Sequence, residues 1–340
     1  MKRLKIGLFP LSSDLTHPGD RRRIVPWARS RNYDLLLGED RKVDLIFISQ
    51  GSDFLKLSKL KGPPKVFDLI DGYLSPQLLT SDFLRGTLKS AFRQHRTYPR
   101  RYSSIVKDAC NQMDMVVCSS PEQLATIAPH NSNVRIILDN HSEFPFLKFT
   151  KKSHIAFSLF WEGTSHTLRG LENLIKALSQ NRIPINLVTD PTHPRLMGKY
   201  LEEDVVQRLN RTIKKYPFTF ASWSKENVTS HAEKSSLAVL PVDLSNKVQV
   251  LKPENRLLIM FRLGLPCLTS DLASYKRVEN SMNFKVVCDS NEDWAASIHK
   301  FRDNPDLMEQ QVEIGQRYLL KNHTEEILFS KWDQAIESLV

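Results

Sequence analysis

LAVLPVDLSNKVQVLKPENRLLIMFRLGLPCLTSDLASYKRV, from Leu237 to Val278, is the stretch whose reading decides the fold. An apolar run, LAVLPVD, ends in a polar loop. Lys252–Pro253 then precede a helix whose first turn holds Glu254, Asn255 and Arg256, and Gly264–Leu265–Pro266 ends that helix just before a second apolar run, PCLTS. Strand, loop, helix and strand in that order make a βαβ connection, and strands buried on both faces of a parallel sheet read as continuous apolar runs.

The same rhythm extends in both directions. Upstream, KIGLF at 5–9, VDLIFIS at 43–49, KVFDLID at 65–71, MVVCSS at 115–120 and VRIILD at 134–139 predict strands with helices between them. Periodicity is lost in LKFTKKS near 147–153. It restarts with HIAFSLFW at 154–161, INLVTD at 185–190, FTFASW at 218–223 and KVVCD at 285–289. Helices are expected over 168–179, 254–263 and 291–302, and two more close the chain. With 340 residues there is room for two α/β domains. In doubly wound sheets ligands lie at the carboxyl ends of strands, so function is expected in the loops there.

Composition removes several classes. Apolar residues make up 41% and charged residues 25%, the balance of a globular chain, and no apolar run is long enough to span a bilayer. MKRLKIGLFPLSSD turns polar too soon for a signal peptide, so a cytoplasmic protein is expected. Cys110, Cys118, Cys267 and Cys288 lack C-x-x-C spacing, which argues against disulfides and structural zinc. G-x-x-x-x-G-K-[ST], G-x-G-x-x-G, G-x-S-x-G and H-E-x-x-H are all missing, as is any D-x-D pair to hold a metal on a diphosphate. With only 12 glycines, a phosphate has to be held by helix ends and cations.

The net charge of +10 is uneven: residues 1–150 carry 23 Lys+Arg against 15 Asp+Glu. Between Phe83 and Lys107, Arg85, Lys89, Arg93, Arg96, Arg100, Arg101 and Lys107 occur without one acidic residue. This segment is either a solvated helix face or a contact for an anionic partner. Leu84, Leu88 and Phe92, at i, i+4 and i+8, give it an apolar stripe that favours a membrane surface over a nucleic acid. Arg93, Arg96, Arg100 and Arg101 are the candidate contacts.

Two loops suit a diphosphate. At 252–256 the free N–H groups of a helix start, with Lys252 and Arg256, favour an anion, although an ordinary capped connection would read the same way. The second loop, FSLFWEGTSHTLRGLENLIKAL from Phe157 to Leu178, passes through Trp161, Glu162, Gly163 and Thr164 into a helix. This W-x-G loop, the following R-G-x-x-x-L-I-x-A-L, K-P-x-N-R-L-L and G-L-P-C together resemble the donor half of a GT-B-fold glycosyltransferase of the retaining, glycogen-synthase-like group (family 4, group 1 type). The likeness is strong over about 154–300 and weaker before it.

The resemblance implies two Rossmann-like doubly wound α/β domains facing an interdomain cleft. These are an acceptor domain over 1–150, a nucleotide-sugar domain over 151–318, and a C-terminal helix over 319–340 that packs back on the first. It implies diphosphate contacts at Gly163, Thr164 and Arg169, and phosphate or sugar contacts at Lys252, Asn255 and Arg256. One position departs from the family pattern: Ile259 stands where many members carry a ribose-binding glutamate, with Glu254 as the available substitute.

In the first domain, PLSSDLTHPGDRRR resembles family members whose first loop reads G-D-R-R, which brings Asp20, Arg21 and Arg22 toward the acceptor or the cleft; a helix N-cap is the other reading of Asp20. Asp71, at the end of KVFDLID, is the candidate catalytic residue, able to position or deprotonate an acceptor hydroxyl; a turn-forming Asp71–Gly72 pair is the plain alternative. The implied activity is sugar transfer from a nucleotide-diphosphate donor to a hydroxyl of a glycan or lipid-linked acceptor. It is expected to be retaining and metal-independent, to use the nucleotide-sugar as substrate with no cofactor, and to serve surface polysaccharide or glycoconjugate synthesis. No nucleic-acid partner is expected, and the setting is cytoplasmic with a peripheral seat on the inner membrane face. The competing class is a catalytically inert GT-B relative acting as a partner or scaffold.

Overall fold

The computed structural model describes residues 3–39, 41–75, 79–92, 94–95, 97–151, 156–178, 182–194, 202–214 and 216–340. These divide into two compact units. The first holds residues 1–140, 247–253 and 324–340, and the second holds 141–246 and 254–323.

The first unit is built on β1 (Lys5–Phe9), β2 (Asp34–Leu37), β3 (Leu45–Ser49), β4 (Lys65–Asp68), β5 (Met115–Cys118) and β6 (Val134–Ile136). They form one parallel sheet in the order β2-β1-β3-β4-β5-β6. The apolar runs are explained by burial on both faces. Along β3, Ile46 and Ile48 enter a core with Phe54, Tyr102 and Val106, while Leu45 and Phe47 enter a second core with Trp27 and Ile24. The period-two alternation of a strand produces this division. The helix Glu325–Glu337 completes the second core. Trp332 is buried 5.9 Å from the Trp27 ring and 5.8 Å from Phe47, and Asp333 accepts from the Trp27 indole at 2.8 Å and pairs with Arg31 at 2.6 Å.

The second unit contains β7 (Leu159–Glu162), β8 (Ile185–Thr189), β9 (Thr192–Pro194), β10 (Glu202–Asp204), β11 (Phe218–Ser222), β12 (Leu237–Leu240), β13 (Cys267–Ser270) and β14 (Val287–Cys288). β9 and β10 form an antiparallel pair, and the other six make a parallel sheet ordered β11-β8-β7-β12-β13-β14. Leaving out the hairpin, this is the 3-2-1-4-5-6 order of a doubly wound nucleotide-binding sheet, whose switch point lies between β7 and β12.

The change of unit falls at Asn140 because the segment after it is tied to the second unit. Arg262 donates through Nε to the Phe144 carbonyl at 2.6 Å, Leu147 N–H donates to the Arg262 carbonyl at 2.9 Å, and the Gln316 amide reaches the Leu147 carbonyl at 2.6 Å. All four cysteines are buried, and burial pushes the Cys110, Cys118 and Cys288 thiols up to about 12. No helix among the described residues is long and apolar enough to cross a membrane.

Candidate functional site

In the second unit the chemistry collects at the carboxyl ends of the strands. β7 ends in Trp161–Glu162 and turns through Gly163 and Thr164 into a 3-10 turn and the helix Leu168–Ala177. A Cβ on Gly163 would stand 2.8 Å from Thr167 Oγ1 and 3.2 Å from Arg256 Nη2, so a bare backbone is what lets the Arg256 guanidinium approach. That guanidinium comes from the first turn of the helix Asn255–Arg262. It lies 5.3 Å from the centre of the Trp161 ring and 3.6 Å from Glu162 Oε2. Glu162 is held in turn by Trp223, which follows β11 and donates its indole N–H to Oε1 at 2.8 Å. Trp223, Glu162 and Arg256 therefore form a chain that aims the cation.

Several polar atoms of this group are buried without a hydrogen-bond partner: Arg256 Nε and Nη2, Glu162 Oε2, Asn255 Oδ1 and Trp161 Nε1. Such atoms are costly in a folded protein. The two Arg256 nitrogens stand beside a helix start, where backbone N–H groups and the helix dipole favour anions. Ser165 N–H donates to Asp190 at 2.8 Å and fixes the turn. Gly170 has the Pro241 carbonyl 2.6 Å from where its Cβ would be, so the helix after β7 packs against the loop after β12.

The first unit carries a second group, also at strand ends. Beyond β4, Asp71 accepts from the Gln50 amide at 2.7 Å and from the Tyr73 hydroxyl at 3.2 Å, returns a backbone N–H to Gln50 at 3.1 Å, and lies 3.6 Å from Lys252 Nζ. Burial by itself would raise the Asp71 carboxyl, but the Lys252 charge and the Gln50 and Tyr73 hydrogen bonds hold it below its ordinary value. Lys252 reaches it because residues 247–253 belong to this unit, where the Leu251 carbonyl accepts from Ser120 and the Leu251 side chain covers Gly72. Deeper in, Arg23 makes a bidentate pair with Asp68 (2.8 and 2.7 Å) and donates to the Ile137 carbonyl at 2.6 Å, Ser119 at 3.2 Å and Asp139 at 3.2 Å. This bracket ties together the ends of β4, β5 and β6.

No family model and no curated sequence matches the chain. Solved structures do. HepE of Anabaena superposes with a TM-score of 0.67 at 12% identity, covering 99% of this chain and 100% of that one. WaaG, a glycosyltransferase of lipopolysaccharide biosynthesis, gives 0.53 at 13% identity over 88% of this chain and 79% of its own. TarM gives 0.59 at 9% identity over 86% of this chain, which spans only 54% of TarM.

The chain has the GT-B fold.

Within the GT-B framework the residues singled out from sequence have separate fates. Gly163, Asn255 and Arg256 come together at the end of β7. Thr164 follows them with an exposed side chain, and Arg169, 69% exposed, pairs with Asp243 at 3.2 Å. Glu254 is buried and engaged by Arg277 at 3.0 Å, and Ile259 is buried core. Lys252 joins Asp71 in the first unit. Asp20 is no cap: its carboxylate accepts the backbone N–H groups of Leu11 and Ser12, both at 2.9 Å, and so closes the loop after β1. Arg21 donates to the Thr16 carbonyl at 2.5 Å, and Arg22 is buried. Arg100 pairs with Asp108 at 2.5 Å, just past the acid-free stretch, while Arg101 is exposed. Arg93 and Arg96 lie outside the described residues.

Sequence reasoning missed Trp223, Gln50, Tyr73 and Asp139, together with the part Glu162 plays in holding Arg256. Glu162, Trp223 and Asp139 each end or follow a strand, and position at a carboxyl strand end is the signal that could have found them.

Proposed function

We propose that the chain is a glycosyltransferase that moves a sugar from a nucleoside-diphosphate donor to a hydroxyl of a glycan or lipid-linked acceptor. The observation that carries this reading is the set of unpartnered buried polar atoms around Arg256 at the end of β7. HepE has been solved with UDP-glucose and with UDP and glucose, and TarM with UDP and alpha-GlcNAc-glycerol. Those ligands support a nucleotide-sugar as the donor class here. A scaffold that had lost its chemistry would have no use for a half-buried guanidinium with two nitrogens left without a hydrogen bond, which weighs against the inert reading.

Loss of the sugar leaves negative charge on the nucleoside diphosphate. Arg256 and the first turn of its helix stabilise that charge, and Gly163 leaves room for the oxygens. Arg256 and the helix start take the part a divalent metal plays elsewhere, so the transfer is read as metal-independent. Asp71, held ionised, orients the acceptor hydroxyl by accepting its hydrogen bond and takes its proton late in the transfer, because a carboxylate with a depressed pKa is a weak early base. Retention of configuration rests on the resemblance of the two loop motifs.

The test is thermal unfolding of the pure chain against nucleoside diphosphates and nucleotide-sugars. A ligand at about 100 times its Kd adds about 2.7 kcal/mol. A shift selective for one base is expected, and a curve that no nucleotide moves would overturn the reading.

A further inference from the structure

A third cluster lies in the first unit, next to Asp71 but not part of the donor group. Arg85 and Lys89 are one turn apart on the helix Leu79–Ala91 and share a face. That face turns inward. The Arg85 guanidinium carbon is 5.0 Å from the centre of the Tyr73 ring, Lys89 Nζ is 4.7 Å from the Tyr102 ring, and the two rings meet edge to face at 5.0 Å. Lys89 donates to Gln94 at 2.9 Å, and His95 stacks near Tyr102 with its Nδ1 3.5 Å from Asp53.

Three donors or nitrogens of this cluster are buried with no hydrogen-bond partner: Arg85 Nη1, the Tyr102 hydroxyl and His95 Nε2; Tyr102 and His95 are both 0% exposed. Among the described residues neither Arg85 nor Lys89 has an ion-pair partner, and Asp71, the acid that acts on Lys89, is already engaged by Lys252, Gln50 and Tyr73. Burial, and then the Arg85 charge, push the Lys89 ammonium down to about 8.

Two like charges held together under aromatic rings are unfavourable unless something supplies the opposite charge. An Arg fork, an ammonium and a phenol together carry several donors, which matches the several acceptor oxygens of a phosphoryl group better than the two of a carboxylate. We propose that Arg85, Lys89 and the Tyr102 hydroxyl form a phosphate-binding site in the first unit. Resting on the glycosyltransferase reading, the acceptor carries a phosphate that is held there while its hydroxyl is presented to Asp71.

The experiment uses the full chain with inorganic phosphate, glycerol phosphate, and vesicles of phosphatidic acid or of phosphatidylcholine. The readouts are the unfolding midpoint and the rate of Lys89 acylation followed by mass spectrometry. Phosphate is expected to raise the midpoint and protect Lys89, most strongly below pH 8, where Lys89 is charged beside Arg85, His95, Tyr102 and Asp71. Arg85→Gln and Lys89→Gln each weaken binding about tenfold or more, the size of a charge-assisted hydrogen bond. Tyr102→Phe weakens it less and keeps the ring, so it reports on the site even if a charge variant folds poorly. Protection by the soluble phosphates identifies a free phosphate ester, and protection by phosphatidic acid vesicles alone identifies a lipid phosphate; either supports the site. Absence of protection by all of them, or equal binding by the three variants, overturns it. Phosphate protection without any nucleotide-induced shift would leave the site standing and sink the transfer reading.

Discussion

Replacing Arg256 by Met removes a cation that the fold holds against one carboxylate. Glu162 is 8% exposed and, among the described residues, keeps only the Trp223 indole as a partner once the guanidinium is gone. At 3.6 Å, with an effective dielectric of about 20, the pair attracts by roughly 4–5 kcal/mol. The Arg256 side chain is 21% exposed, and solvent screening trims that figure. Breaking one side of such a pair should therefore cost about 3 kcal/mol, the low end for buried pairs, because Glu162 is left charged and unmatched. At roughly 2–4 °C per kcal/mol this lowers the midpoint by about 6–12 °C.

The double variant Arg256→Met with Glu162→Gln tests the accounting. Gln keeps an oxygen for Trp223 and carries no charge, and Met packs on the Trp161 ring that the guanidinium covered. The double variant is expected to recover to within about 1 kcal/mol of the parent, since replacing both partners of a buried pair is often near neutral. Nucleotide binding should not recover. A lost charge-assisted hydrogen bond of about 1.5–3 kcal/mol weakens the nucleoside diphosphate by roughly 10- to 100-fold in the single and the double variant alike. Calorimetric unfolding gives the first number and titration calorimetry the second. A double variant no more stable than Arg256→Met refutes the electrostatic argument, and parental nucleotide affinity in the stable double variant refutes the role of Arg256.

Two further outcomes are expected. Because the Asp71 carboxyl is held below its ordinary value, its contribution to stability is present above the unfolded pKa of about 3.9 and is lost as pH falls through the lower folded value. Urea unfolding of the parent and Asp71→Asn should show a constant difference from pH 8 to pH 5 that shrinks below about pH 4, and a difference that grows on acidification would reverse the assignment. Phe83 and Leu84 are 49% and 52% exposed on the helix that carries Arg85 and Lys89. We propose that they seat the chain on anionic membranes: the pair Phe83→Ser with Leu84→Ser should cut co-sedimentation with anionic vesicles about tenfold, and unchanged sedimentation would return them to ordinary surface.

The sheet was legible where strands are buried on both faces, since β3, β5 and β12 then read as nearly unbroken apolar runs. β2 escaped for the opposite reason. It is an edge strand whose Leu36 and Leu37 face solvent, which starts at Asp34 and is followed by Gly38–Glu39, so DLLLGED looks like a loop. β9 and β10 are three residues each, and Glu202–Asp204 has no apolar face to announce a strand. At the site, Gly163 and Arg256 were legible because local motifs carry them. Glu162 and Trp223 are 61 positions apart, and nothing local records that a carboxylate in one loop will be met by an indole in another. Among the three consecutive arginines, the sequence does not say which one meets Asp68. The π-type turn over Asp20–Ile24, with Arg23 itself off helical geometry, sends the Arg23 side chain into the Asp68 and Asp139 pair.

How this chain treats buried polar groups that are purely structural sharpens the reading of those it leaves open. Gln311, 0% exposed, spends its amide on the Cys267 N–H and on the Cys267 and Lys285 carbonyls. Gln123, 1% exposed, accepts from Ser119 N–H and donates to the Ile70 carbonyl, and Arg23 meets five acceptor atoms. Where the interior needs a polar side chain for architecture, it is saturated, as the cost of an unmade hydrogen bond requires. Single orphans such as Ser49 Oγ and Tyr216 Oη are scattered through the chain and point nowhere in particular. The orphans at Arg256 and at Arg85 differ in being clustered, each group around a cation whose movement an aromatic ring restricts. Rigidity matters because a preorganised cation gives up little further entropy when its anion arrives. The stability withheld at these two clusters is thus available as binding free energy, at the end of β7 for a nucleoside diphosphate and beside Asp71 for a phosphorylated acceptor.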